Sequence, residues 1–155
     1  MPIYEPDLEE LVAGGVSQGW LRFATELAGV VEGAEVLFIA VGTPQGDDGA
    51  ADLSSVGTVA RSVGRALAEA RTRRERPLVV VNKSTVPVGS GDYVSMQIQE
   101  GIDETGGGEE NFVVESNPEF LREGSAVYDS LFPDRIVVGP SPARRSTPCG
   151  PSTSR

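Results

Sequence analysis

The fold is most constrained by an alternation of short apolar runs with longer segments of helical periodicity. The apolar runs lie at 35–41, 78–81 and 112–114. A short run with no polar interruption is typical of a strand buried on both faces of a parallel sheet. Each intervening segment places its apolar residues along one helical face. These residues are Val56, Val59, Ala60, Val63, Leu67 and Ala70 in the first segment, and Val94, Ile98 and Ile102 in the second. The alternation predicts an α/β fold, a doubly wound parallel sheet made of βαβ units with right-handed crossovers.

The remaining predicted elements are shorter. They are a helix at 3–12 ended by Gly14-Gly15, a strand at 21–23, a helix at 26–31 capped by Thr25, a helix at 125–130 and a fourth strand at 136–138. The second long helix is expected at 92–104, and Asp52 or Ser54 is expected to cap the first. A basic cluster at 71–76 follows that first helix, and we interpret it as solvated charges that complement the helix dipole.

Three polar loops follow the predicted parallel strands, at 42–49, 83–91 and 117–124. The carboxyl ends of parallel strands meet at one edge of a sheet, which is where open α/β sheets place their ligands. Hydroxyls, backbone N–H groups and Lys83 are suited to phosphates, and a carboxylate is available for proton transfer. Taken singly, Lys83 is a surface lysine and Thr85 a loop-capping hydroxyl. Together, the three loops predict one ligand cleft.

The loop at 117–124 carries two acids four residues apart, Glu119 and Glu123. If this loop coils into a helical turn, the spacing places both carboxylates on one side of it. The alternative is a strand-to-helix loop whose charges face water, with Arg122 paired to a neighbouring acid. Spacing alone favours that alternative. A ligand site is favoured only because the other two polar loops are expected at the same edge of the sheet.

Composition narrows the function. The 155 residues suffice for one domain, and a net charge of −10 argues against nucleic acid as a partner. The sequence has no run of eighteen apolar residues and no signal peptide at its start, so we expect neither membrane insertion nor secretion. A single cysteine fits a reducing cytoplasm, and no metal site is predicted.

Four blocks of this sequence, at 3–11, 38–44, 82–89 and 116–125, together resemble the NAD-dependent UDP-glucose and GDP-mannose dehydrogenases. Shorter matches at 51–53 and 133–135 fall in the same family order, and the resemblance covers about 2–139. The blocks at 82–89 and 116–125 look most like those of bacterial members that act on UDP-glucose. The resemblance implies NAD as cofactor, UDP-glucose or a related nucleotide sugar as substrate, and a homo-oligomer for full-length relatives.

The reaction implied by the resemblance oxidises the sugar C6 alcohol of UDP-glucose to the carboxylate of UDP-glucuronate in two hydride transfers, through a thioester on a cysteine. By the same resemblance, Thr43 contacts the dinucleotide. Thr85 lies at the nicotinamide, where it orders water near the reacting carbon. Glu119 acts in proton transfer during thioester hydrolysis, because a carboxylate with a tuned pKa can activate water.

The resemblance also implies a substrate-binding segment that runs from Glu119 to Glu123. Phe120 and Leu121 hold the nucleotide sugar through backbone groups, Arg122 belongs to the same segment, and Glu123 flanks cofactor and substrate. Lys83 lies in a family motif but receives no catalytic role.

The sequence departs from the family pattern at both ends. The family's first strand and its G-x-G-x-x-G turn are missing, so we expect an incomplete Rossmann-like sheet that lacks the first βαβ unit. Asp7 replaces a glycine that is usual in the family. After Gly139 the resemblance stops, which predicts a partial NAD-binding domain at 1–139 and a disordered tail at 140–155. Cys149 in that tail is interpreted as an incidental thiol.

These departures predict a truncated piece of a nucleotide-sugar dehydrogenase, from an incomplete or frame-shifted gene, that is inactive alone. Two alternatives remain open. One is a dehydrogenase for GDP-mannose or a UDP-N-acetyl sugar, and the other is a non-catalytic nucleotide-binding module.

Overall fold

The computed structural model describes residues 4–46, 49–70, 74–108 and 110–140. The predictions for 71–73, for Asp47 and Asp48 in the first loop, and for the tail from 141 onward with Cys149 fall outside these residues, whereas Pro140, the first residue of the predicted tail, is part of a strand. The elements in chain order are α1 (Leu8–Ser17), α2 (Ala28–Gly33), β1 (Val36–Ile39), α3 (Ser54–Glu69), β2 (Leu78–Asn82), α4 (Ser90–Glu104), β3 (Phe112–Ser116), α5 (Ala126–Leu131) and β4 (Gly139–Pro140). None of the described helices is both long enough and apolar enough to span a bilayer.

The four strands form one sheet in the order β1-β2-β3-β4. Strands β1, β2 and β3 are parallel, with Val80 opposite Leu37 on one side and Val114 on the other. The crossovers between them are α3 and α4, as the alternating pattern predicts. The α/β fold with parallel βαβ units is therefore confirmed.

The core lies between this sheet and the two crossover helices. It joins one face of the sheet to α3, α4 and the end of α2, through Val31, Ile39, Val56, Ala60, Val63, Ala66, Leu67, Leu78, Val80, Val94, Ile98, Ile102 and Val114. Helices α3 and α4 approach closely at two glycines. A Cβ on Gly64 would overlap the carbonyl oxygen of Ile98, and a Cβ on Gly101 would overlap the carbonyl oxygen of Arg61. The helices cross where neither has a side chain.

The prediction that the first apolar run is buried on both faces is wrong for β1. Ile39 is only 1% exposed, whereas Val36 and Phe38 are 48% and 56% exposed. Side chains alternate between the two faces of a strand, and the core cluster covers one face only. Within the described residues β1 also pairs with β2 alone, so it is an edge strand.

The N-terminal predictions need three corrections. Helix α1 continues through Gly14-Gly15 to Ser17, and the chain leaves it at Gly19, whose φ of 76° is left-handed. No strand forms at 21–23, because the N–H of Leu21 bonds back to the carbonyl of Gly15 instead of to another strand. Helix α2 starts at Ala28, later than predicted, and Thr25 does not cap it.

Two further predictions are wrong after α3. The fourth strand is not at 136–138. The side chains of Ile136, Val137 and Val138 are all exposed there. Only Gly139–Pro140 pairs with β3, and it does so antiparallel. In the basic cluster, Arg74 is not a solvated charge. Its guanidinium donates to the carbonyls of Val31, Glu32 and Ala34 and so caps the C-terminal end of α2.

The cap predicted for α3 forms in part. Leu53 occupies the cap position itself, but a carboxylate oxygen of Asp52 accepts the N–H of Ser54 at 2.8 Å. That hydrogen bond lowers the pKa of Asp52 below its ordinary value.

Candidate functional site

The loops after β1 and β2 are joined directly by hydrogen bonds. The hydroxyl of Thr43 donates to the carbonyl of Thr85 at 2.9 Å. The buried Ser84 accepts the N–H of Val41 at 3.0 Å and donates to its carbonyl at 2.7 Å. Thr43 and Thr85 therefore lie together at the carboxyl edge of the sheet, where the sequence placed them. Ser84 stands inside a predicted loop, but nothing in its spacing marked it as the residue that ties the two loops.

The third loop is anchored to the second. The N–H of Asn117 donates to the carbonyl of Asn82 at 3.0 Å, and the ammonium of Lys83 donates to the side-chain oxygen of Asn117 at 3.3 Å. A cleft of about 490 Å³ opens beside this contact, lined by Lys83, the segment 117–122, Asp129, Ser130 and the segment 133–136. The three loops meet at one edge as predicted, but the cleft is lined by Lys83 of the second loop and by the third loop, with no described residue of the first loop in its wall.

Glu119 supplies the one carboxylate of the third loop that is partly enclosed. Its oxygen Oε2 is buried and has no hydrogen-bond partner among the described residues. Buried carboxylate oxygens in folded proteins nearly always have a partner. Glu119 thus lines the cleft and holds one carboxylate oxygen that is shielded from solvent and engaged by no described residue.

The loop at 117–124 is not a helical turn, so Glu119 and Glu123 do not share a helix face as the spacing suggested. Pro118 disfavours helical geometry in Asn117, and the only turn comes at Gly124, with a left-handed φ of 81°. Glu119 is half-buried in the cleft wall, whereas Glu123 is exposed.

Phe120 and Leu121 remain accessible in the cleft wall, with exposed fractions of 49% and 42%. The guanidinium carbon of Arg135 lies 4.7 Å from the centre of the Phe120 ring, a cation–π contact across the cleft. This contact joins the segment 117–122 to the segment 133–136, the two stretches that supply most of the cleft lining.

Arg122 pairs with a neighbouring acid, as the second interpretation of this loop expected. Its guanidinium donates to Asp129 at 2.6 Å and 3.0 Å, and its backbone N–H donates to the same carboxylate at 3.1 Å. The side-chain hydrogen bond from Arg122 is the main cause that holds the pKa of Asp129 far below its usual range, and it raises the pKa of Arg122. The Arg122 side chain is therefore already engaged.

Glu5 reaches the same loop from the other end of the chain. Its carboxylate accepts the N–H of Gly124 at 2.9 Å and the N–H of Ala126 at 2.6 Å, and the residue is 9% exposed. The sequence contains no local signal for this contact. The described residues contain no group of three or more side chains able to hold a metal ion.

The parallel sheet, its two crossover helices and the loop cleft at its carboxyl edge define a Rossmann-type domain. A sequence model of the UDP-glucose/GDP-mannose dehydrogenase family, NAD binding domain, matches residues 1–147. The chain belongs to that family, and the part of the family that it matches is the NAD binding domain.

Individual relatives support this family assignment. UDP-glucose 6-dehydrogenase of Pseudomonas aeruginosa is 47% identical over 141 residues, which cover 90% of this chain and 29% of the relative. A solved UDP-glucose dehydrogenase from Pyrobaculum islandicum superposes with a TM-score of 0.77 at 46% identity, covering 89% of this chain and 30% of that one. GDP-mannose dehydrogenase from Pseudomonas aeruginosa gives a TM-score of 0.77 at 38% identity, covering 90% and 31%. The chain thus spans less than a third of the length of these relatives.

Proposed function

We propose that this chain forms the carboxyl-edge half of the cofactor and sugar site in an NAD-dependent nucleotide-sugar dehydrogenase whose substrate is UDP-glucose. The observation that carries the proposal is the joined set of three loops, with Glu119 in the wall of the cleft beside the second and third of them. The similarity to UDP-glucose 6-dehydrogenases supports the choice of sugar. The reaction is the oxidation of the C6 alcohol to a carboxylate in two hydride transfers.

The described loops fit the reacting end of the cofactor, because the Thr43–Thr85 contact lies where strands β1 and β2 end. NAD, when bound, accepts hydride from the sugar carbon. Thr43 contacts the dinucleotide, and Thr85 lies beside the nicotinamide. The exposed hydroxyl of Thr85 orders water at the reacting carbon, since its own carbonyl rather than its hydroxyl is engaged by Thr43.

Glu119 takes a proton from the water that hydrolyses the thioester after the second hydride transfer. A positioned carboxylate whose oxygen lacks a competing donor is suited to that role, and general base catalysis contributes about 10²- to 10⁴-fold. Phe120 and Leu121 bind the sugar nucleotide through their backbone. Arg122 contributes by fixing the shape of this segment, because Asp129 accepts hydrogen bonds from both its side chain and its backbone N–H. Glu123, which is exposed, flanks cofactor and substrate.

A dehydrogenase for another nucleotide sugar is the second candidate. The solved GDP-mannose dehydrogenase superposes as well as the UDP-glucose enzyme does, with a TM-score of 0.77 in both cases. The residues of the cleft wall contact the sugar end of the ligand under either assignment. Rates with the alternative nucleotide sugars separate the two.

The test is a chimera, because the isolated chain is expected to be inactive. The 141 aligned residues of the Pseudomonas aeruginosa relative are replaced by those of this chain, and NADH formation is followed by absorbance. We expect oxidation of UDP-glucose in preference to GDP-mannose and UDP-N-acetyl sugars.

The chimera with Glu119→Gln is expected to lose about 10²- to 10⁴-fold in kcat. The matched control is Glu75→Gln, an exposed acid just before β2 and therefore at the opposite edge of the sheet. An unchanged kcat in Glu119→Gln would refute the role of Glu119. A preference for GDP-mannose would refute the substrate.

A further inference from the structure

Glu5 is the one acid near the start of the described chain that is withdrawn from solvent. Its exposed fraction is 9%, whereas Glu9 and Glu10, a turn further along on α1, are exposed. Burying a carboxylate is unfavourable unless hydrogen bonds replace its water. Here two backbone donors do so, one to each carboxylate oxygen, from Gly124 and Ala126.

These two donors stand at the point where the cleft wall becomes helix α5. The N–H groups at the start of a helix have no partner within the helix, so an acceptor from elsewhere is needed. The side chain of Ser125, which precedes α5, does not cap it. Instead, the Ser125 hydroxyl donates to Asp129 at 3.1 Å. The carboxylate of Glu5 therefore serves as the external cap of α5.

The cap fixes more than the helix, because α5 in turn holds the cleft wall. Asp129, inside α5, accepts both the backbone N–H and the side chain of Arg122. At its other end, the wall is fixed by the hydrogen bond from Asn117 to the carbonyl of Asn82. The segment 117–122 thus spans two anchors. One belongs to the sheet, and the other depends on Glu5 through Gly124 and α5.

We propose that Glu5 is a positioning residue of the sugar site: its carboxylate holds Gly124 and Ala126, and through α5 it sets the backbone of 119–122 that lines the cleft. It touches neither substrate nor cofactor. This inference rests on the proposed function only for the ligand, since the clamp itself is a property of the chain without any ligand.

The experiment compares Glu5→Gln with wild type and with Glu9→Gln. Glutamine has the shape of glutamate but only one acceptor oxygen, so one of the two N–H groups loses its partner. Amide hydrogen exchange of the 155-residue chain, read residue by residue by NMR, is expected to accelerate by at least about tenfold at Gly124, Ala126 and Arg122. Exchange at Val63 in α3 and Val80 in β2 is expected to stay unchanged, and Glu9→Gln is expected to match wild type throughout.

The dissociation constant for UDP-glucose, measured on the same samples, is expected to rise by about tenfold in Glu5→Gln and not in Glu9→Gln. Unchanged exchange at Gly124 and Ala126 would overturn the clamp. Faster exchange spread equally over Val63 and Val80 would overturn it too, since Glu5 would then support the whole fold and not this segment. Faster exchange at Gly124 with no UDP-glucose binding in wild type would leave the clamp intact and count against the proposed substrate.

Discussion

Replacing Gly64 with alanine is expected to separate the two crossover helices. A Cβ at this position overlaps the carbonyl oxygen of Ile98 and lies within 3.1 Å of the Cα of Gly101. The corresponding substitution on α4 is Gly101→Ala. A Cβ there overlaps the carbonyl oxygen of Arg61 and lies 3.1 Å from the backbone nitrogen of Arg65. Every atom met is backbone, so no side-chain rotation can relieve the overlap. The helices themselves must shift.

The magnitude follows from two opposing terms. Overpacking a core costs about 1–3 kcal/mol, and an overlap with backbone belongs at the upper end of that range. Alanine in place of glycine returns about 1 kcal/mol of helix propensity. We therefore expect each single substitution to lower the free energy of unfolding by about 2 kcal/mol. The double substitution is expected to cost less than the sum, because both act on one contact.

Urea unfolding followed by far-UV circular dichroism is the suitable assay. Fluorescence of Trp20 is a poor probe, since that side chain is 80% exposed already. Gly14→Ala in α1 is the control, because a Cβ there meets nothing within 4 Å and no loss of stability is expected. Gly64→Ala with wild-type stability would refute the close crossing of α3 and α4.

Two further predictions concern single side chains. The pKa of Asp129 is lower in the folded chain than in the unfolded chain. The hydrogen bonds that Asp129 accepts from Arg122 therefore contribute their full stability above the unfolded pKa, and they are lost only as the pH falls through the lower, folded pKa. Exchange protection of the Arg122 amide should therefore survive below pH 3.8, the ordinary aspartate value, and should be lost at every pH in Asp129→Ala, which removes both acceptor oxygens. Arg74→Ala removes the donors to three carbonyls at the end of α2 and should cost about 1–3 kcal/mol by urea unfolding, whereas Arg76→Ala, at an exposed position, should change stability by less than about 0.5 kcal/mol. Equal effects of the two arginine substitutions would contradict the capping role of Arg74.

The βαβ core was predictable because its signals are local. Apolar runs separated by helical periodicity fix the type of element, and the rules for parallel crossovers fix the order of the sheet. The meeting of the three loops followed from the same geometry, since parallel strands end at one edge. Thr43, Thr85 and Glu119 could therefore be placed at that edge from the sequence.

Long-range features were not predictable in the same way. The partners of Glu5 lie 119 and 121 residues away, and no spacing rule reaches that far. The half-exposed β1 was missed because a run of apolar residues shows what can be buried, not which layers cover it. The strand expected at 136–138 failed for the same reason.

The structure explains why aspartate can replace glycine at position 7. The sequence showed aspartate where the family usually has glycine. Its φ of 65° is left-handed, and Asp7 is the one non-glycine residue with positive φ in the described part of the chain. Glycine adopts this conformation freely, and aspartate is among the few other residues that tolerate it.

The central claim, that the cleft beside Glu119 receives a nucleotide sugar, is tested most directly by hydrogen exchange of the purified chain with and without UDP-glucose. We expect protection across β1 and β2 in both samples, with exchange at 119–123 slowing when UDP-glucose is added. Unchanged exchange at 119–123 under millimolar UDP-glucose, with β1 and β2 still protected, would contradict the claim.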